Sequence, residues 1–267
     1  MQPRSVIISV VNNKGGVGKT TTTCNLADAL ARKGKSVLVL DMDSQCNATS
    51  MLLGGERPNA NTLFELLDPE NTEVSPEQCV YPTFHENLHI IPNIDVTAAL
   101  EVKLILNLPA SFSVLRNNLR DFALKKFDVT IIDNPPNMGT FVICSLYASD
   151  FVIVPNDSGS KYSIEGLIRA VEFIKDVSKN ANPDLKFLRL LITRLDKRTS
   201  ISRAIMHQIR EIFNPHDVFN TTIPINTTFQ QAELHSKTIY KYAPKASGAA
   251  AYRKLATELI SILENKT

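Results

Sequence analysis

Short β-branched and aliphatic runs alternate along the chain with stretches in which apolar positions recur every three to four residues. Ser5 to Val11 (SVIISVV), Ser36 to Leu40 (SVLVL), Asp128 to Ile132 (DVTII), Asp150 to Val154 (DFVIV) and Leu185 to Ile192 (LKFLRLLI) read as strands buried on both faces. Leu88 to Ile91 reads as a sixth. Helical spacing predicts a helix over Lys19 to Arg32, where Leu26, Ala27, Leu30 and Ala31 form one face and Gly34 follows as a stop. Further helices are predicted over Ser163–Ser178, Ser200–Phe213 and Gly248–Leu263. Apolar strands alternating with amphipathic helices predict an α/β fold of three layers, a mostly parallel sheet with helices on both faces. Residues 54–87, with Pro58, Pro69, Pro76 and Pro82, read as an irregular excursion from a single domain spanning 1–267.

Composition narrows the class without naming a chemistry. The 267 residues are 43% hydrophobic and 21% charged, with a formal net charge of +2. Near-neutrality excludes a whole-chain polyelectrolyte binder and leaves room for a local basic patch. No apolar run approaches the roughly 20 residues of a membrane span. Cys24, Cys46, Cys79 and Cys144 are scattered without a Cys-x-x-Cys pair and read as reduced thiols of a cytoplasmic protein. His85 and His89 lie four apart with no third metal ligand in view. Glycine is the informative residue. There are only 10, yet Gly15, Gly16 and Gly18 fall within four positions. That concentration marks a backbone needing unusual torsions or close approach to a ligand.

The glycines belong to Lys14-Gly15-Gly16-Val17-Gly18-Lys19-Thr20-Thr21, between a predicted strand and a predicted helix. Gly18, Lys19 and Thr20 match the end of G-x-x-x-x-G-K-[ST], although Asn13 stands where its leading glycine would be. Successive backbone amides and a helix N-terminus make such a loop an anion site. Lys19 would reach the β- and γ-phosphates, Thr20 would ligate Mg²⁺, and Thr21 would bond the α-phosphate. Asp41, Asp43 and Asp133 all follow the C-terminal ends of predicted parallel strands, the edge where open α/β sheets bind ligands.

With a lysine at each end, this loop resembles the deviant Walker A box of the ParA/MinD class of ATPases. Asp41-Met42-Asp43-Ser44-Gln45 is similar to the family's D-x-D-P-Q box, with Ser44 in place of proline. Ile131-Ile132-Asp133-Asn134-Pro135-Pro136 resembles its Walker B segment. Val154-Pro155, Glu165-Gly166-Leu167, the segment Thr193 to Thr199 and Ile223-Pro224 fall in the same order, so the likeness runs from about residue 5 to 263. The resemblance implies ATP and Mg²⁺ as ligands, with Gly15, Gly16, Val17, Gly18, Lys19, Thr20 and Thr21 on the phosphates. It implies a catalytic set of Lys14, acting across an ATP-sandwiched homodimer, Asp43, which activates water, and Lys19. Asp133, Asp43, Asp41 and Thr20 would serve the metal, and Thr193, Arg194 and Pro224 the adenine.

The same resemblance implies a slow ATPase stimulated by a partner. Its ATP dimer would bind nonspecific DNA of the nucleoid, and a ParB-like or other adaptor would link it to a plasmid, chromosome or protein cargo. Candidate DNA contacts are Lys197, Arg198, Arg203, Lys245, Arg253 and Lys254, with Lys241 nearby. The chain departs from the family where arginines often follow Ile-Pro: it has Ile225 and Thr228, and Ser247 at another commonly basic position. A MinD-like membrane cycle is the first alternative, but no basic amphipathic tail follows Leu259 to Leu263, so no membrane partner is expected. A nucleotide-gated scaffold with negligible turnover is the second. A metal-cluster carrier lacks a cysteine motif, and an ATP-dependent ligase or kinase lacks a marked acceptor pocket.

Overall fold

The computed structural model describes residues 5–71, 73–159 and 163–265. Its strands are β1 (Val6–Val10), β2 (Val37–Asp41), β3 (Tyr81–Pro82), β4 (Leu88–Ile91), β5 (Val129–Asp133), β6 (Phe151–Asp157) and β7 (Lys186–Thr193). They form one sheet in the order β3-β4-β2-β5-β1-β6-β7. Every pairing is parallel except the β3–β4 edge. The helices are α1 (Lys19–Ala31), α2 (Asn47–Leu53), α3 (Leu63–Leu67), α4 (Leu100–Leu106), α5 (Val114–Lys126), α6 (Thr140–Ala148), α7 (Ser163–Asn180), α8 (Ser200–Ile212), α9 (Thr227–Leu234), α10 (Ile239–Tyr242) and α11 (Ser247–Glu264).

Alternation along the strands divides the core between the two faces. Val6, Ile8 and Val10 of β1, with Val37 and Val39 of β2, pack against α1, α2, α10 and α11. Ile7, Leu38, Leu40 and Ile132 point the other way, onto α3 to α6. Val152, Val154, Leu190 and Ile192 continue that second face beneath α7 and α8. The three-layer α/β architecture expected from the pattern is the one observed.

Two local expectations change. The segment 54–87 is joined to the sheet: Leu63, Leu66, Leu67 and Cys79 are buried, and β3 pairs with β4. Thr62 supplies the stop that starts α3, accepting from the Phe64 amide while Glu65 reaches back to the Thr62 amide. Asp41 and Asp133 do not follow their strands but end them. They are register partners across β2 and β5, and Asp133 also faces Val10 of β1. Main-chain pairing carries these strands past their apolar runs and sets two carboxylates side by side at the sheet's C-terminal edge.

Candidate active site

The loop between β1 and α1 sits at that edge. Gly16 and Gly18 have φ of +74° and +86°, a conformation that L side chains avoid. Gly18 caps α1 and carries no side chain to fill the cap. The first-turn amides of α1 therefore have no side-chain acceptor from the cap, and the helix dipole adds positive potential there. The end of β7 braces the loop from behind: Thr193 Oγ1 donates to the Val17 carbonyl at 2.8 Å, and Arg194 Nη1 to the Gly16 carbonyl at 3.4 Å. Val17 is buried.

Lys19 is buried, and its Nζ donates to the Lys14 carbonyl at 3.2 Å. Burial lowers its pKa, while the charges of Asp133 and Asp43 oppose that shift. The ammonium is thus aimed between the loop and the acidic strand ends. Thr20 Oγ1 donates to Asp133 Oδ2 at 2.7 Å, and Thr23 Oγ1 to Asp133 Oδ1 at 3.1 Å. Burial, and then the charge of Asp41, raise the pKa of Asp133; the two threonines and Lys19 act against the rise.

The two neighbouring aspartates are placed differently. Asp41 is fully buried and both its oxygens are taken: Oδ2 accepts from the Thr49 amide and hydroxyl, each at 2.8 Å, and Oδ1 from the Asp43 amide at 3.1 Å. It does not line the cleft. Its oxygens hold the 41–49 turn, and burial raises its pKa as well. Asp43 does line the cleft, at 8% exposure, and its Oδ1 accepts from the Gln45 amide at 3.0 Å.

The cleft holds about 430 Å³. Gly15, Gly16, Gly18, Lys19, Thr20 and Thr21 form its floor, and Thr193, Arg194 and Pro224 stand on one wall. Lys14 is half-buried and is not among the residues lining the cleft of its own chain. Sequence reasoning missed several lining residues, including Gln45, Asn47, Phe229, Glu233 and Tyr252. Phe229 and α11 are fitted closely: a Cβ at Gly248 would lie 2.4 Å from the Phe229 ring. Thr23, three residues after Thr20 on the same helix, was findable from helical spacing alone.

The candidate DNA-contacting cations do not line this cleft. Lys197, Arg198, Arg203, Lys241, Lys245, Arg253 and Lys254 are all exposed. Arg198 is 86% exposed and forks onto Asp196 with contacts of 2.9 and 2.8 Å, which draws the Asp196 carboxyl down to about 2. Ser247 Oγ accepts from Asn226 Nδ2 at 3.1 Å, and Ile225 lines the cleft.

Among the described residues, no helix is long and apolar enough to cross a membrane. A family model described as an AAA domain matches residues 5–187. The chromosome-partitioning ATPase Soj of Thermus thermophilus is 37% identical over 254 residues, covering 95% of this chain and 95% of its own. The sporulation initiation inhibitor protein Soj of Bacillus subtilis is 35% identical over 254 residues, 95% of this chain and 97% of its own. Among solved structures, cobyrinic acid a,c-diamide synthase of Mycobacterium smegmatis, with bound ATP analog and magnesium, superposes with a TM-score of 0.82 at 29% identity, over 98% and 97% of the two chains.

Proposed function

Because this chain belongs to the AAA-domain family and to its ParA/MinD class of ATPases, we propose that it is a dimerising switch that binds and hydrolyses ATP with Mg²⁺. In this reading the ATP-bound homodimer engages nonspecific DNA. An adaptor of the ParB kind stimulates hydrolysis, and the cycle positions a plasmid, chromosome or protein cargo on the nucleoid. The carrying observation is the Thr20–Asp133 bond beneath an α1 start that no side chain caps. An anion cradle and a hard-oxygen pair meet there, with Lys19 between them.

The donor set fits Mg²⁺, which takes one or two carboxylates and completes its shell with phosphate oxygens and water. Thr20 would hold the ion directly and Asp133 through water, with Thr23 orienting Asp133. The ion supplies charge neutralisation of the phosphates. Lys19 and the amides of residues 15–21 bind and orient the triphosphate. Asp43, at the open side, orients water and accepts its proton. Thr193, Arg194 and Pro224 would contact the base. Lys14, which does not line the cleft of its own chain, supplies its charge to the partner's nucleotide, in the manner of an arginine finger worth about 10³–10⁵ in rate.

Light scattering and phosphate release on the wild type and on Lys14→Ala test this reading. The wild type dimerises with ATP and not ADP. The variant retains nucleotide binding and loses both dimerisation and turnover. Full ATP-driven dimerisation of Lys14→Ala would remove the trans role. The cargo-positioning part stands on ATP-dependent, salt-sensitive DNA binding, and absence of DNA binding in every nucleotide state refutes it.

A further inference from the structure

Beyond the phosphate loop, α9 lays one face along the cleft. Asn226, which caps the helix, and Gln230 and Glu233 within it all line the cavity. Their spacing of i, i+4 and i+7 puts them on one side of a helix over roughly 10 Å. The two ends of that face are anchored in different places. Before the cap, the Leu195 amide donates to the Ile223 carbonyl at 2.9 Å, so this end belongs to the wall of Thr193, Arg194 and Pro224. Past the far end, the Ile239 amide donates to Asn25 Oδ1 at 2.7 Å, and Asn25 Nδ2 donates to the Thr21 carbonyl at 2.7 Å. Ser236, three residues after Glu233, shares a hydrogen bond of 2.9 Å with Ser50 of α2. The last turn of α9 is thereby held between α1 and α2 and registered to Thr21. Burial, and with it the charges of Asp133, Asp41, Glu233 and Asp28, raises the Cys24 thiol, so the field of Glu233 reaches the second turn of α1. Glu233 itself is exposed and forms no salt bridge among the described residues. A carboxylate in the last turn of a helix also opposes the helix dipole. Folding does not account for its presence on the cleft.

We propose that Glu233 is the residue by which the cleft recognises the ribose of its nucleotide, accepting hydrogen bonds from the 2′- and 3′-hydroxyls. The proposal rests on the ATP-binding reading above and adds a specificity determinant to it. The order of groups along a nucleotide carries the argument. In that reading Thr21 takes the α-phosphate and the wall of Thr193, Arg194 and Pro224 takes the base, and the ribose joins the two. A helix face that starts beside that wall and ends in register with Thr21 runs along the nucleoside, and its acceptor at the Thr21 end meets the sugar. An ionised carboxylate only accepts, and a vicinal diol offers two donors, so the two match in number and charge. An acidic side chain on a ribose hydroxyl is the chemistry by which dinucleotide-binding folds hold their sugar. Asp43, the other acidic residue on the lining, follows β2 beside the phosphate loop and is engaged with the attacking water. The Glu233 carboxylate also repels the triphosphate, so its signature is selection between nucleotides more than affinity for any one of them.

Titration calorimetry with ATP, 2′-deoxy-ATP and 3′-deoxy-ATP, each with Mg²⁺, tests this on the wild type, Glu233→Ala, Glu233→Gln and Gln231→Ala. The wild type is expected to prefer ATP over each deoxy analogue by about 10-fold, the worth of a hydrogen bond to a charged group. In Glu233→Ala the preference falls below about 2-fold. In Glu233→Gln, which keeps an acceptor and loses the charge, it lies between the two. Gln231→Ala changes an exposed neighbour on α9 that does not line the cleft, and it keeps the wild-type ratio. Far-ultraviolet circular dichroism is the fold control, and if Glu233→Ala fails it, Glu233→Gln decides by the same ratio. A wild-type ratio of about 1, or a wild-type preference that persists unchanged in the Glu233 variants, overturns the ribose role and leaves the ATP reading intact. No binding of any of the three nucleotides by the wild type overturns both.

Discussion

Two regions of this molecule hold their polar groups in opposite ways. At the C-terminal edge of the sheet, Asp41, Asp133 and Lys19 are buried, and their side chains bond to Thr49, Thr20, Thr23 and the Lys14 carbonyl. On the C-terminal surface, Lys197, Arg203, Lys245 and Lys254 stand in solvent. The first region is an interlocked machine in which one deletion orphans a partner. The second is a field of charges whose members are nearly interchangeable. Function at the edge is therefore sensitive to single atoms, and function on the surface to sums of charge.

The largest effect is expected at Asp43. Replacing it with Ala removes the strand-end carboxylate that lines the cleft beside the phosphate loop and should lower single-turnover phosphate release by about 10²–10⁴, with ATP affinity retained. Turnover unchanged in this variant would shift the water-activating task elsewhere. Next comes Asp133→Asn, which should weaken Mg²⁺-dependent nucleotide binding by about 10–100-fold in a titration against free Mg²⁺. The same substitution tests the pH behaviour. Asp133 has a folded-state pKa raised above its unfolded value, so between the two the folded chain binds more protons than the unfolded one. Stability then falls as pH rises through that window, the reverse of a salt-bridged carboxylate. The melting temperature of nucleotide-free protein, followed from about pH 4 to about pH 8, should decline in the wild type and decline less in Asp133→Asn.

Thr49→Val is expected to cause the next smaller change. It removes one of two donors to Asp41 Oδ2 and leaves a buried carboxylate underbonded, which should destabilise by about 1.5–3 kcal/mol. A urea midpoint that falls with an unchanged slope would register it. An unchanged midpoint would mean that the 41–49 turn is not held by this contact, and the contrast between the two regions would lose one of its supports.

How much of this was legible follows the same division. The loop from Gly15 to Thr21 was readable because helix start, glycine torsions and phosphate chemistry all act within seven residues. Thr49 was not, because its link to Asp41 depends on a turn through Cys46 in the left-handed region, at φ 56°. Tyr252 reaches the cleft only because α11 packs on α1, where its hydroxyl lies 3.2 Å from Thr22 Oγ1. α4 and α6 escaped prediction for two different physical reasons. α4 leaves Val102, Ile105 and Leu106 exposed, which blurs its period, and α6 is apolar nearly all round, which erases it. Arg198 could be seen as a charge, but its pairing with Asp196 only two residues away could not.

The smallest effect is expected on the surface. Lys254→Ala removes an exposed cation that forms no salt bridge among the described residues, so nothing folded depends on it. The melting temperature should move by no more than about 2 °C, and ATP turnover without DNA should not move at all. Whatever the substitution does should show only with DNA present, as a small loss of affinity that vanishes at high salt. A larger stability change would mean that this charge is structurally engaged, and the surface would then resemble the strand-end cluster more than the burial pattern allows.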